Sequence, residues 1–227
     1  MVRQFASALA GIALAAALGG CSVLPEGGRN SQRQAMRPAQ PAYVPSAAGR
    51  QCLSKLGADA ASFTPLPDRF YGAGCSTLNT VRLSALEGDA SRTFGIANLG
   101  PVACPLAETF SAWARYGVDR TARAVLKSPL ERIETMGSYN CRNVAGSARR
   151  SAHATANAID VSAFVLADGR RITVKGGWAG GSPSEKQFLR IVHTSACKRF
   201  GTVLGPGYNA AHQDHFHLEG SGKAFCR

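Results

Sequence analysis

The chain has 227 residues, room for one domain with appendages or two small ones. Hydrophobic residues make up 45% of it, enough to build a core, and aromatics at 7% leave that core mainly aliphatic. A formal charge of +12 would suit nucleic acid, but the charges form no long run. In an exported chain such basicity is better read as attraction to anionic envelope polymers or lipid head groups, so no nucleic-acid partner is expected.

Met1-Val2-Arg3 is a basic start, and Phe5 to Leu18 is an apolar run too short to remain as a membrane span. Residues 1–20 therefore read as a signal peptide. Leu18-Gly19-Gly20-Cys21 resembles a bacterial lipobox, which implies a lipid on Cys21, and Ser22 after it implies transfer to the outer membrane. The expected address is the periplasmic side of the envelope. Residues 21–50 are rich in Pro, Gly, Ser, Gln and Arg and read as a disordered tether, with a folded domain over 51–227.

Apart from Cys21, the seven cysteines are Cys52, Cys75, Cys104, Cys141, Cys197 and Cys226. An even set in an exported domain predicts three disulfides, and pairing near neighbours gives Cys52–Cys75, Cys104–Cys141 and Cys197–Cys226. Thr80 to Leu83 reads as a short strand. Cys104-Pro105-Leu106 opens a helix on which Leu106, Phe110 and Trp113 form an apolar stripe, so Trp113 belongs in the core. A second helical stretch runs from about Asp119 to Leu126. Ile133 to Tyr139 reads as a strand leading to Arg142, and Asp168-Gly169 signals a hairpin. Gly176 to Gly181 reads as a flexible loop around Trp178. Ser184 caps a helix through Cys197, and His193 on it is structural. Phe200 to Leu204 is a strand, and the last strand carries His215 and His217.

Ser151 to Asp160 and His212 to His217 together hold four of the five histidines, and each segment supplies an acid. On a straight helix His153 and Asp160 would lie about 10 Å apart, too far to share one ion bound at about 2 Å. A bend must separate them. Asp160 to Val165 is β-branched and aromatic with period two and reads as a strand beginning at the acid. His215 and His217, two apart, face one side of a strand. A loop ending at Asp160, beside a strand with His217, brings His153, Asp160 and His217 together. Two imidazoles and a carboxylate suit Zn²⁺ and leave a fourth position for water.

Ser151 to Asp160 resembles the S-x-H-x-x-G-x-A-x-D motif of the zinc peptidases grouped with D-alanyl-D-alanine carboxypeptidases, lysostaphin-type enzymes and the hedgehog signalling domain. His215-Phe216-His217 resembles their H-x-H. The segments GSYNCR, HATANAIDVSAF, LADGRRITV and FGTVLGPGYNAAHQDHFHLE, with the terminal CR, resemble the bacterial extensin-like C-terminal domain family over roughly residues 51–227. The resemblance implies His153, Asp160 and His217 as zinc ligands. The expected fold is α+β, a small antiparallel sheet carrying the site with helices packed to one side, braced by disulfides. Ala156 stands where the wider motif has Gly, a strained choice if that position needs a positive φ. Gly207 stands where the family usually has an acid. Arg142 is displaced by two positions from the arginine of the wider group's S-G-Y-R-like segment.

The chemistry expected is amide hydrolysis by metal-activated water, with peptidoglycan stem peptides or cross-links as the polymer within reach. Asp214 and His215 are both candidates for the base, and His212 would orient that base or hold an oxyanion. Arg142, with Arg149 and Arg150, would form a basic rim for a substrate carboxylate. The alternative is a non-catalytic zinc-containing module that binds peptidoglycan. Carboxypeptidase and endopeptidase action both stay open, as does the oligomeric state.

Overall fold

The computed structural model describes residues 44–59, 61–222 and 224–227. The expected signal peptide, Cys21 and most of the expected tether lie outside the described residues. Helix α1 (Ala47–Ala58) starts within the last part of that tether stretch, because the Ser46 hydroxyl accepts from the Gly49 amide and caps it. Among the described residues no helix is long and apolar enough to cross a membrane.

Strands β1 (Ala61–Pro65), β2 (Arg69–Gly72), β3 (Cys75–Thr77), β4 (Thr80–Glu87), β5 (Thr93–Ala97) and β6 (Val102–Ala103) come first. Helix α2 (Cys104–Ala112) follows and widens into π-helical turns over Trp113–Asp119 and Ala122–Leu126. After it come β7 (Leu130–Gly137), β8 (Ala158–Leu166), β9 (Arg171–Thr173), α3 (Val174–Gly180) and α4 (Pro183–Cys197). The chain ends with β10 (Thr202–Leu204), β11 (Phe216–Glu219) and β12 (Phe225–Cys226).

The fold is α+β, but the sheet is neither small nor antiparallel. Ten strands join in the order β1-β4-β5-β7-β8-β11-β10-β12, with β6 on β4 and β9 on β8; β2 and β3 form a separate hairpin. Pairs β5–β7 and β10–β12 are parallel. For β5–β7 the helical segment between them is the crossover that parallel pairing needs.

Trp113 is fully buried, as its stripe predicts, and its indole N–H donates to the Val192 carbonyl of α4 at 3.0 Å. Phe110, Phe164 and Phe200 ring it. The buried Asp119 carboxylate accepts from the amides of Asp89 and Leu130 and from Arg123, locking the helix end to the strands beside it. Two local expectations fail. The Gly176–Gly181 stretch is not a flexible loop: residues to Gly180 belong to α3, because the Thr173 hydroxyl caps its first turn and Trp178 packs edge-on against Phe216. Ser182, not Ser184, caps α4, in a reciprocal capping box with Glu185. The expected Asp168-Gly169 hairpin is present between β8 and β9, with Gly169 at φ 89°.

Three disulfides form, and only Cys197–Cys226 matches the near-neighbour pairing. The others are Cys52–Cys104 and Cys75–Cys141. Non-local packing overrides sequence proximity: α1 lies against α2, and the β2–β3 hairpin lies against the segment after β7. Peptide mapping of the unreduced protein should recover these three links. Replacing Cys75 and Cys141 together with Ser should cost about 2–4 kcal/mol in denaturant unfolding, since that link closes a loop of 66 residues.

Candidate metal centre

The bend demanded by the His153–Asp160 spacing is a single 3-10 turn, Ala152–Thr155, capped by the Ser151 hydroxyl. Ala156 then reverses the chain at φ 54°, ψ 25°, in the left-handed region, and β8 begins two residues before Asp160. The position where the wider motif has Gly does require a positive φ. Alanine fills it at full burial, with its carbonyl accepting from the Ala103 amide and the Ser138 hydroxyl.

Register supplies the rest. His217 of β11 sits directly opposite Asp160 of β8, so the two side chains rise from one face of the sheet. On the other edge of β8, Asp160 is opposite Gly137, at φ 109°, which has no side chain to crowd it. His215 lies just outside the strand instead of within it, because β11 begins at Phe216.

His153, Asp160 and His217 each offer a ligand atom, and those atoms lie within 4.8 Å of one another. The side chains are 2%, 9% and 5% exposed. His153 Nε2 is 3.1 Å from Asp160 Oδ2 and 3.2 Å from His217 Nδ1, and His217 Nδ1 is 2.8 Å from Asp160 Oδ1. The outer nitrogens decide the tautomers. His153 Nδ1 makes a short hydrogen bond to the Ser138 carbonyl, which can only accept, so that nitrogen carries the proton. His217 Nε2 donates to Glu219 Oε1 at 2.9 Å. The inner nitrogens of both rings face each other and a carboxylate, each a lone pair when its ring is neutral and a donor to Asp160 when its ring is charged. Three acceptors turned inward, each ring held from behind by a carbonyl or a carboxylate, fit a divalent cation.

A family model described as extensin-like protein C-terminus matches residues 50–227. The chain belongs to that family. No curated protein and no solved structure matches it.

Electrostatics in this extensin-like domain agree with the geometry. Burial works against the Asp160 charge, but hydrogen bonds from His153 and His217 outweigh it and hold the carboxyl far below the usual range. Burial likewise opposes a charged His217, yet Asp160 and Glu219 raise the ring to about 9. A field that draws a proton to that ring draws a metal cation too, and the two compete for Nδ1.

The residues expected around His153, Asp160 and His217 gather here as well. His215 Nδ1 bonds to Asp214 Oδ1 at 2.8 Å, which turns its Nε2 toward Asp160 Oδ1 at 3.6 Å. Of the two candidate bases, His215 faces the centre and Asp214 stands behind it. His212 is lowered to about 4 by burial and by the neighbouring histidines, so it is neutral at ordinary pH. Its Nδ1 lies 2.7 Å from Asn209 Oδ1, which leaves Nε2 as an acceptor and not a donor for an oxyanion. Arg142 is exposed at the rim, near enough for its charge to help lower His212. Arg150 is committed elsewhere, to the Ala73 carbonyl and the Asn143 side chain. A second cluster, His193 with Cys197 and Cys226, is closed to metal by the Cys197–Cys226 disulfide.

Sequence reasoning missed Glu219 and Ser138. Glu219 had a signal, since it lies two residues beyond His217 and shares its strand face; the Ser138 contact is a backbone carbonyl and had none. Glu219→Ala should weaken Zn²⁺ binding about 10–100-fold in a chelator-competition titration, with a smaller loss for Glu219→Gln, which keeps an acceptor. At Ala156, relief of about 1–2 kcal/mol of left-handed strain is offset by a lost methyl and a freer unfolded chain. Ala156→Gly should therefore stay within about 1 kcal/mol of the parent in denaturant unfolding, and Ala156→Val should lose about 3 kcal/mol.

Proposed function

We propose that the domain is a zinc-dependent peptidase acting on peptidoglycan stem peptides or cross-links, tethered through lipid on Cys21 at the periplasmic side of the outer membrane. The observation that carries this reading is the inward triangle of His153 Nε2, His217 Nδ1 and the Asp160 carboxylate, with His215 oriented beside it. Two imidazoles and one carboxylate are a set that Zn²⁺ takes in hydrolytic sites, and the motif resemblance to the D-alanyl-D-alanine peptidase group points the same way. When bound, zinc supplies Lewis acidity that polarises the scissile carbonyl and acidifies water.

The protein's own residues supply the rest. Asp214 keeps the His215 proton on Nδ1, so Nε2 is free to take a proton from the attacking water. Water adds to the amide carbon, the C–N bond breaks, and the proton held on His215 passes to the leaving amine. Neutral His212 lines the same space and adds no charge to resist that transfer. Arg142 at the rim suits a terminal carboxylate, the group in which stem peptides end. The net charge of +12 favours an anionic polymer.

Purified sacculi should release peptide fragments on incubation with the protein, and a chelator should stop the release. His153→Ala and Asp160→Ala should lose both bound zinc and release. His215→Ala should keep its zinc while release falls about 10²–10⁴-fold. Binding to sacculi without chelator-sensitive release would replace the peptidase with a zinc-containing binding module.

A further inference from the structure

The ladder between β7 and β8 slips twice beside the candidate centre. Thr135 pairs with Val161 and Gly137 with Asp160, which leaves Met136 unpaired; Glu134 pairs with Ala163, which leaves Ser162 out. The far edge of β8 is shared by two strands, with β11 covering residues up to Val161 and β9 covering Ala163 to Val165. Ser162 falls in the gap between them. Such bulges bend a sheet and redirect side chains, and they recur next to active sites.

Both bulged residues line one groove of about 400 Å³, together with Arg171, Thr173, Lys175, Gly176 and Asp214. That volume lies within the usual range for small-ligand sites. Asp214 joins the groove to the centre, since its carboxylate holds His215 and His215 reaches toward Asp160. The groove's charges are unequal in availability. Arg171 is bound to Glu134 at 2.9 and 2.6 Å, so its charge is met within the protein. Lys175 makes no ion pair among the described residues, and it is exposed. Met136, 58% exposed, adds an apolar and adaptable wall.

We propose that this groove is a substrate subsite for an acidic peptide, in which Lys175 pairs with a carboxylate while the peptide passes over Met136 toward His215. Within the groove the Asp214 carboxylate repels an anionic group and Lys175 attracts it, so the recognised carboxylate sits at Lys175 and not at Asp214. The direction of the peptide rests on the peptidase reading above; the carboxylate preference rests on the groove alone.

The test uses the full chain and its Lys175→Gln and Lys175→Glu variants, with soluble muropeptides either native or amidated at their free carboxylates. Lys175 sits on the exposed first turn of α3, so zinc content and unfolding should match the parent. For native muropeptides, KM should rise about tenfold in Lys175→Gln, the loss of one charge-assisted bond, with kcat unchanged, and further in Lys175→Glu. Amidation should cost the parent the same factor and Lys175→Gln nothing more. Cleavage by Lys175→Gln with parental KM and parental preference for native muropeptides would remove the subsite and leave the peptidase standing. If the parent cleaves neither form, the Met136 methyl NMR signal decides. A shift with native but not amidated muropeptides, lost in Lys175→Gln, keeps the subsite without the peptidase; no such shift overturns it.

Discussion

Two imidazole nitrogens and a carboxylate are held against one another where water barely reaches. Left to themselves these groups would rotate apart. They stay because each is held from outside the triangle. The Ser138 carbonyl and the Glu219 carboxylate hold the far nitrogens of the two rings, and strand register fixes Asp160 against His217. Neighbouring features follow from that constraint: the left-handed Ala156, the absent side chain at Gly137 and the bulged ladder all make room for, or aim, a member of the triangle.

The surrounding layers are graded in the same way. Asp214 and His215 form a second pair whose lone acceptor nitrogen looks inward, while His212 is kept neutral by burial. Arg142 is exposed at the rim, and in the groove Lys175 makes no ion pair among the described residues. Exposed positive charge thus surrounds an acceptor-rich centre with no lysine or arginine among its three inward groups.

Much of this was legible in the residue order because local geometry decided it. A separation of seven positions between His153 and Asp160 excludes a straight helix, so a bend followed by a strand was forced. The Asp168-Gly169 turn and the Trp113 stripe rest on equally local rules. What failed was non-local. Disulfide partners depend on which elements meet in space, and Cys75 meets Cys141 only because the β2–β3 hairpin folds over the segment after β7. The parallel β5–β7 pair depends on a crossover that composition does not reveal. At α3 the glycines argued for a loop, and a cap from Thr173 with packing of Trp178 outweighed them.

The Cys75–Cys141 bond has a bearing on where the centre can mature. Cys141 is three residues past Ser138, whose carbonyl sets the His153 tautomer, and Asn140 also bonds the His153 carbonyl. Oxidation therefore anchors the strip of backbone on which one imidazole depends. A chain kept among reduced thiols would hold its histidines without a firm backing for the first of them. Under the proposed zinc reading, the centre would hold its metal best once this bond has formed, so oxidation of two cysteines would act as a step in building the site.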